Sequence, residues 1–230
     1  MAVTETIWLA LVWFLVFVSS TVLHEASHAY VARMLGDQTA YLGGQVSLNP
    51  LPHIRREPFG MVLVPLLSYA LSGWMFGWAS TPYDPGWAHR FPRRSALMAL
   101  AGPSSNFLLV LLSGLAIRVG LATGLLVAPQ YLSFAHVVSA PGGGLIEAGA
   151  TLLSVAFSLN LILCVFNLLP LPPMDGSAVI QLAMSERAAR AFQQMLRQPM
   201  IGWMGILIAW RIFGNVFSPI HRFALSALYP

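Results

Sequence analysis

Charge is scarce in this sequence. Only 9% of the 230 residues are charged, whereas a soluble domain carries about 25%. Lysine is absent, so all twelve basic residues are arginines. Together with 57% hydrophobic residues, this composition excludes an ordinary soluble protein and predicts a polytopic membrane protein.

Other features that the sequence lacks or has little of narrow the class of protein further. The single cysteine, Cys164, cannot form an internal disulfide, and its place in an apolar run is typical of packing. The first residues lack a basic region and no small-residue cleavage site precedes His24, so we expect a retained first span, not a signal peptide. The net charge of +4 comes from arginines that flank apolar segments, which argues against a nucleic-acid partner.

The most informative stretch closes the first apolar run. Residues 7–23 carry no charge, and an HExxH motif follows at residues 24–28. On a helix, His24 and His28 lie on one face, where two imidazoles can bind one Zn²⁺. Glu25 lies about a quarter-turn away, where its carboxylate can handle a proton. The motif therefore predicts a zinc site.

HExxH also occurs by chance in soluble helices, so the surroundings of the motif matter. Glu25 is the only charged residue from Thr6 to Ala32. A charge near hydrocarbon costs about 2.5–3.5 kcal/mol on insertion scales. An isolated carboxylate at the end of a membrane-length segment therefore indicates a functional group.

A catalytic zinc takes three protein ligands and leaves a fourth position open. Asp175 is the candidate third ligand, since residues 148–174 hold no charge. Prolines at positions 170, 172 and 173 end the preceding helix and let Asp175 point back into the bundle. The alternative is an Asp that caps a helix beginning at Gly176, but capping does not explain a carboxylate at the end of an uncharged span.

Together these motifs resemble the site-2 protease family of intramembrane zinc metalloproteases. The resemblance rests on HEASH at residues 24–28 and NLLPLPPMDG at residues 167–176. AGPSSN at residues 101–106 is similar to the GPxxN element of that family, and FGWA at residues 76–79 resembles a compact bacterial subgroup without a PDZ domain. The similarity covers residues 22–176.

The resemblance implies a role for each matching residue. Three side chains would hold one zinc ion: His24, His28 and Asp175. Glu25 would act as general base and then as proton donor to the leaving amine. Asn167 would help to hold the substrate or the developing oxyanion, and Asn106 would help to position the helices of the site. A buried Asn also often only satisfies a neighbouring backbone group.

We predict an all-α polytopic fold with about four to six membrane segments around the zinc site. The chain is interpreted as one membrane-embedded domain, residues 1–230, with its core at residues 7–184. The predicted apolar segments are residues 7–35, 59–79, 95–119, 145–169 and 201–217. Residues 185–197 are amphipathic and basic, which predicts an interfacial helix, and we expect the tail to residue 230 to lie along the surface.

Residues 41–52 change in character. Gly43 and Gly44 precede an alternating stretch at residues 45–48, and Asn49-Pro50 follows. This pattern predicts a short strand or hairpin after the first segment. A free strand edge there could pair with an extended substrate through Val46 and Ser47, and an ordinary surface hairpin is the alternative.

The arginines predict the orientation of the spans. Six of them are expected to share the cytoplasmic side: Arg33, Arg55, Arg56, Arg90, Arg93 and Arg94. This arrangement places the zinc ligands near the cytoplasmic face if residues 59–79 dip in and return. A crossing segment would leave the last three of those arginines outside, so we expect the re-entrant version. The subgroup resemblance implies the bacterial inner membrane.

The implied function is an intramembrane zinc endopeptidase that cuts within or near a transmembrane segment of another membrane protein. One alternative is a partner-binding protein with an inactive site, which would not need all four chemical groups. Another is a zinc transporter or metal sensor, which should show further His, Asp or Glu pairs on other spans. Without a PDZ domain, substrate access would be restricted by the embedded core or by a separate regulatory partner.

Overall fold

A computed structural model describes residues 3–196 and 198–229. The chain is almost entirely helical. In order, the α-helices are α1 (Val3–Met34), α2 (Thr39–Leu42), α3 (Pro50–Arg56), α4 (Val64–Ser72), α5 (Pro85–Arg90), α6 (Pro92–Ala122), α7 (Gly144–Asn167), α8 (Asp175–Val179), α9 (Glu186–Leu196) and α10 (Pro199–Leu228). A π-helical turn, Phe59–Leu63, leads into α4, and a 3₁₀ turn, Ile180–Ala183, follows α8. The predicted end of the interfacial helix, Arg197, and the last residue, Pro230, lie outside the described residues.

Four of the described helices, α1, α6, α7 and α10, are long and apolar enough to cross a membrane. They correspond to four of the predicted segments, and they confirm a helical integral membrane protein. The most apolar window of α7 is 67% buried, whereas that of α10 is only 17% buried. Helix α7 is therefore central to the bundle and α10 is peripheral.

Apolar packing joins α1 and α6 to the central helix. Trp13 and Phe17 of α1 pack with Leu159 of α7 in one buried cluster. Ile117 of α6 and Phe157 of α7 belong to a second cluster. These contacts fix the relative positions of the three helices that surround the predicted site.

The segment after α3 enters the bundle and returns. The apolar helix Phe59–Ser72 is about 21 Å long at 1.5 Å per residue, too short for a hydrocarbon core of about 30 Å. The hydroxyl of Tyr69 donates to the carbonyl of Thr6 at 3.2 Å, so the segment reaches the start of α1. The backbone N–H of Trp78 donates to the carbonyl of Gly60 at 3.1 Å, so the two ends meet. This geometry favours the re-entrant version over a crossing.

The predicted hairpin is wrong, because residues 45–48 form bends and no strand occurs in ranges 3–196 and 198–229. Backbone and side-chain groups in this stretch form hydrogen bonds with partners other than a second strand. The backbone N–H of Gln45 donates to Ala40, and its side chain donates to the carbonyl of Ser80 at 3.3 Å. Asn49 caps α3 by accepting from the N–H of Leu51, with a proline at the first position of that helix. Asn-Pro therefore begins a helix here and does not close a strand.

The last helix is also longer than predicted. The sequence predicts a span at residues 201–217 and a surface tail, but α10 continues through Pro219 to Leu228. Phe217 and Leu228 are buried in the cluster between α6 and α7. This packing stabilises the turns on both sides of the proline, which spanning helices tolerate better than soluble ones.

Candidate metal centre

Two helices bring the three candidate ligands together. His24 and His28 lie one turn apart on α1, and Asp175 is the first residue of α8. Oδ2 of Asp175 lies 3.2 Å from Nε2 of His24 and 3.3 Å from Nε2 of His28. The two Nε2 atoms are 3.0 Å apart. Residues separated by about 150 positions in the sequence thus converge at one point.

Contacts behind the imidazoles determine which nitrogen faces this point. Nδ1 of His24 lies 2.6 Å from Oδ1 of Asn106, and Nδ1 of His28 lies 2.8 Å from the carbonyl oxygen of Met98. Both oxygens only accept hydrogen bonds, so each Nδ1 carries the proton and donates it. In its neutral form each imidazole then presents the lone pair of Nε2 to the centre, as metal-binding imidazoles do.

The arrangement fits a tetrahedral cation. Two lone pairs and a carboxylate oxygen this close together, in a buried site, would repel one another without a positive charge between them. Zinc bonds of about 2.0–2.1 Å in tetrahedral geometry separate neighbouring ligand atoms by about 3.3 Å. The observed separations lie between 3.0 and 3.3 Å.

Helix α6 leaves space at the centre through a glycine. A Cβ atom at Gly102 would overlap with Nε2 of His28 and lie 2.5 Å from Nε2 of His24. Any side chain here would therefore collide with the Nε2 atoms of both histidines. Gly102 lies within the AGPSSN stretch, so that element contributes space to the site as well as Asn106.

Asp175 is a candidate ligand and does not cap its helix. Met174 holds the N-cap position of α8, where no side-chain cap bond forms. Burial alone raises the pKa of the Asp175 carboxyl, but the adjacent histidines outweigh this and hold the pKa below its usual value. The carboxylate is therefore ionised, which is the form that binds metals.

Glu25 faces the same cleft, which has a volume of about 460 Å³. Its side chain is 5% exposed, and its Oε2 atom lies 2.7 Å from the hydroxyl of Thr81. That hydroxyl is also 2.9 Å from the backbone carbonyl of Glu25. Thr81 follows the re-entrant segment, so this segment delivers a hydrogen-bond donor to the carboxylate.

The weaker predicted residues occupy different places. Asn167 lines the cleft, and its amide donates to the carbonyl of Leu163 in the same helix at 3.0 Å. Asn106 lies behind His24. Val46 and Ser47 line a second cavity of about 590 Å³, between α1 and α6. The structure therefore brings Asn106 and Asn167 to the centre, whereas Val46 and Ser47 belong to a separate groove.

Three contributors were not singled out in the sequence: Thr81, Gly102 and Asn160, whose Oδ1 accepts from the amide Nδ2 of Asn106 at 2.8 Å. Thr81 stands in a polar, proline-rich loop that gives no signal for it. Gly102 lies inside a stretch that was recognised for its asparagine. Asn160 offers a signal, since an amide in an uncharged span needs partners where water is absent.

Residues 12–209 match the profile of Peptidase family M50. The chain belongs to this family. The match includes both ligand motifs and confirms the predicted resemblance to site-2 proteases. Between the two ligand motifs, the described residues form helices and loops and no strand.

Curated relatives carry corresponding names. The chain is 34% identical to YwhC of Bacillus subtilis (strain 168) over 163 residues, which cover 70% of this chain and 64% of that protein. It is 29% identical to Rip2 of Mycolicibacterium smegmatis over 175 residues, covering 75% of this chain and 57% of that protein. It is 28% identical to Rip2 of Mycobacterium tuberculosis (strain ATCC 25618 / H37Rv) over 202 residues, which cover 88% of this chain and 68% of that protein. All three are named as candidate zinc metalloproteases, and the chain spans less than two thirds of the first two. No solved structure matches the chain.

Proposed function

We propose that this chain is an intramembrane zinc endopeptidase that hydrolyses a peptide bond within or near a transmembrane segment of another protein. The observation that carries the proposal is the convergence of His24, His28 and Asp175 at 3.0–3.3 Å, at the end of a helix long enough to cross a membrane. Membership in a peptidase family supports it.

One zinc ion per chain would be held by these three side chains. Two imidazoles and one carboxylate are a ligand set of catalytic zinc sites, which keep a fourth position open. The open position here would face the cleft that Glu25 and Asn167 line.

Bound zinc supplies a Lewis acid for the scissile carbonyl and an acidified water, whose pKa falls from 15.7 to about 7 at such sites. Glu25 would act as general base toward a water in the cleft and as proton donor to the leaving nitrogen. Thr81 holds the carboxylate in place during this transfer. Asn167 helps to hold the substrate or the developing oxyanion.

The proposed substrate is a membrane-spanning segment of a second protein. Its carbonyls are tied into helical hydrogen bonds, and leaving them unpaired in hydrocarbon costs several kcal/mol each. The substrate must therefore unwind locally before it enters the cleft. Val46 and Ser47 are proposed to contact it from the groove between α1 and α6.

The site is proposed to face the cytoplasmic side of a bacterial inner membrane. Arg33 follows the ligands on α1, and Arg93 and Arg94 begin α6, so basic residues flank this end of both helices. A separate regulatory protein would limit access of substrates to the cleft.

The test compares zinc content and cleavage of single-span substrates in detergent. Wild type should carry one zinc per chain. Glu25→Gln should keep the zinc and lose cleavage, because general acid–base catalysis contributes about 10²–10⁴-fold. Asp175→Ala should lose both. Glu147→Gln is the matched control, since Glu147 bonds Ser139 and Ala140 at the start of α7 and should keep full activity.

Zinc-free wild type, or cleavage indifferent to Glu25, would contradict the proposal. Zinc-free wild type would favour a partner-binding protein with an inactive site, whereas cleavage indifferent to Glu25 would show that this residue is not the general base.

A further inference from the structure

A chain of buried hydrogen bonds runs behind His24 through three helices. The amide Nδ2 of Asn106 on α6 donates to Oδ1 of Asn160 on α7 at 2.8 Å. Nδ2 of Asn160 in turn lies 2.9 Å from the hydroxyl of Ser20 on α1 and 2.8 Å from the carbonyl oxygen of Ala156. Asn106 is 0% exposed and Asn160 is 1% exposed. Water therefore does not compete for these groups.

Which group donates and which accepts in these hydrogen bonds matters for His24. An asparagine amide can present either its oxygen or its NH₂ group to a neighbour. If the NH₂ group of Asn106 faced His24, Nδ1 would have to accept, and the imidazole proton would move to Nε2. A protonated Nε2 has no lone pair to offer a metal. Metal binding therefore requires the oxygen of Asn106 to face His24.

Asn160 determines that orientation. The carbonyl of Ala156 can only accept, so the NH₂ group of Asn160 must face it. Oδ1 of Asn160 is then left facing Asn106 and attracts the NH₂ group of that residue. The oxygen of Asn106 consequently points at His24. The backbone carbonyl of Ala156 can only accept, so it sets the donor–acceptor direction of the whole series of hydrogen bonds.

We propose that Asn160 is a positioning residue of the metal centre: it orients the amide of Asn106 and thereby holds His24 in the tautomer that can bind a metal. The inference rests on the proposed zinc chemistry of the site. It gives α7, which contributes none of the three candidate ligands, a role in metal binding.

The first experiment replaces Asn160 with Leu, a side chain of similar size that cannot accept a hydrogen bond. We expect zinc affinity, measured by competition with a chelator, to fall about 10- to 100-fold, as for other outer partners of metal-binding histidines. In the metal-free protein, ¹⁵N chemical shifts of His24 should move from the Nδ1–H tautomer toward the Nε2–H tautomer. Ser158→Ala is the matched control, because this buried hydroxyl on the same helix has no hydrogen-bond partner among the described residues.

The second experiment distinguishes orientation from general damage. In Asn106→Asp both side-chain oxygens accept, so this residue cannot present a donor to His24. Asn160→Leu should therefore cost less than about threefold in zinc affinity in this background, a coupling that a double-mutant cycle measures. An equal loss in both backgrounds would mean a structural role and would overturn the proposal. Asn160→Ala replaces the leucine variant if that variant does not fold.

The outcomes separate this inference from the proposed function. If wild type binds zinc and Asn160→Leu leaves both affinity and tautomer unchanged, only the role of Asn160 is overturned. If wild type binds no zinc, the proposed function fails, and the tautomer of His24 in metal-free wild type and Asn160→Leu still decides the role of Asn160.

Discussion

Two glycines on α6 show how the two ends of the bundle differ. At the site end, a Cβ at Gly102 would collide with the ligand nitrogens of His24 and His28. Farther along the helix, a Cβ at Gly114 would lie 3.4 Å from Phe157, an ordinary contact. The packing at Gly102 therefore specifies atomic positions, whereas the apolar packing around Gly114 leaves room for a small added group.

The largest effect is expected from a substitution at the site end, at Gly102. Gly102→Ala should abolish cleavage and reduce zinc affinity by more than the about 10- to 100-fold typical of a change in an outer partner, because the methyl group would collide with the Nε2 atoms of His24 and His28. Zinc content and chelator competition measure it. Gly114→Ala is the matched control and should keep both properties. Equal behaviour of the two variants would contradict the comparison.

Removal of the metal tests whether the site end depends on it for stability. Zinc present at about 1,000 times its dissociation constant would stabilise the folded state by about 4.1 kcal/mol. Chelation should therefore lower the thermal midpoint of wild type in detergent. Asp175→Ala should show almost no response, since it lacks one of the three converging ligand atoms. A wild-type midpoint indifferent to chelator would show that the residues hold their geometry without a metal.

Two glycines of the peripheral helix α10 can be compared in the same way. A Cβ at Gly205 would overlap with the carbonyl oxygen of Pro172, three residues before Asp175, so α10 packs directly on the loop that carries this ligand. Gly205→Ala should destabilise the fold by about 1–3 kcal/mol, as overpacking does, and reduce cleavage. A Cβ at Gly214 would meet no described atom within 4 Å, so Gly214→Ala should be neutral. Unfolding in denaturant and cleavage assays measure both variants.

The sequence points to the residues of the proposed site for a physical reason. Charges are so rare in the spans that His24, Glu25, His28 and Asp175 stand out, and the structure brings their helices together. The contribution of Gly102 could not be predicted from composition, because its effect lies in an empty space that depends on how α6 packs against α1.

The helices that depend on long apolar runs were predictable from the sequence. Segments whose structure depends on particular hydrogen bonds were less predictable. Long apolar runs predicted four candidate spanning helices, three of them close to their observed bounds, whereas α10 extends to Leu228, well beyond its predicted end at residue 217. The predicted strand at residues 45–48 failed because Asn49 and Pro50 begin a helix and Gln45 bonds a distant backbone carbonyl. Alternating polarity over four residues is too short a pattern to outweigh such local and tertiary partners.

The smallest expected effect lies at the edge of the site, where the re-entrant segment meets α1. Thr81→Val keeps the shape of the side chain and removes the hydroxyl that lies 2.7 Å from the Glu25 carboxylate. We expect kcat to fall about tenfold, which corresponds to about 1.4 kcal/mol, while zinc content stays unchanged, because Thr81 contacts the proposed base and none of the ligands. Thr81→Ser retains the hydroxyl and should restore most of the rate. A loss of zinc in Thr81→Val, or an equal loss of rate in Thr81→Ser, would show that the contact supports the fold of the segment and not the orientation of Glu25.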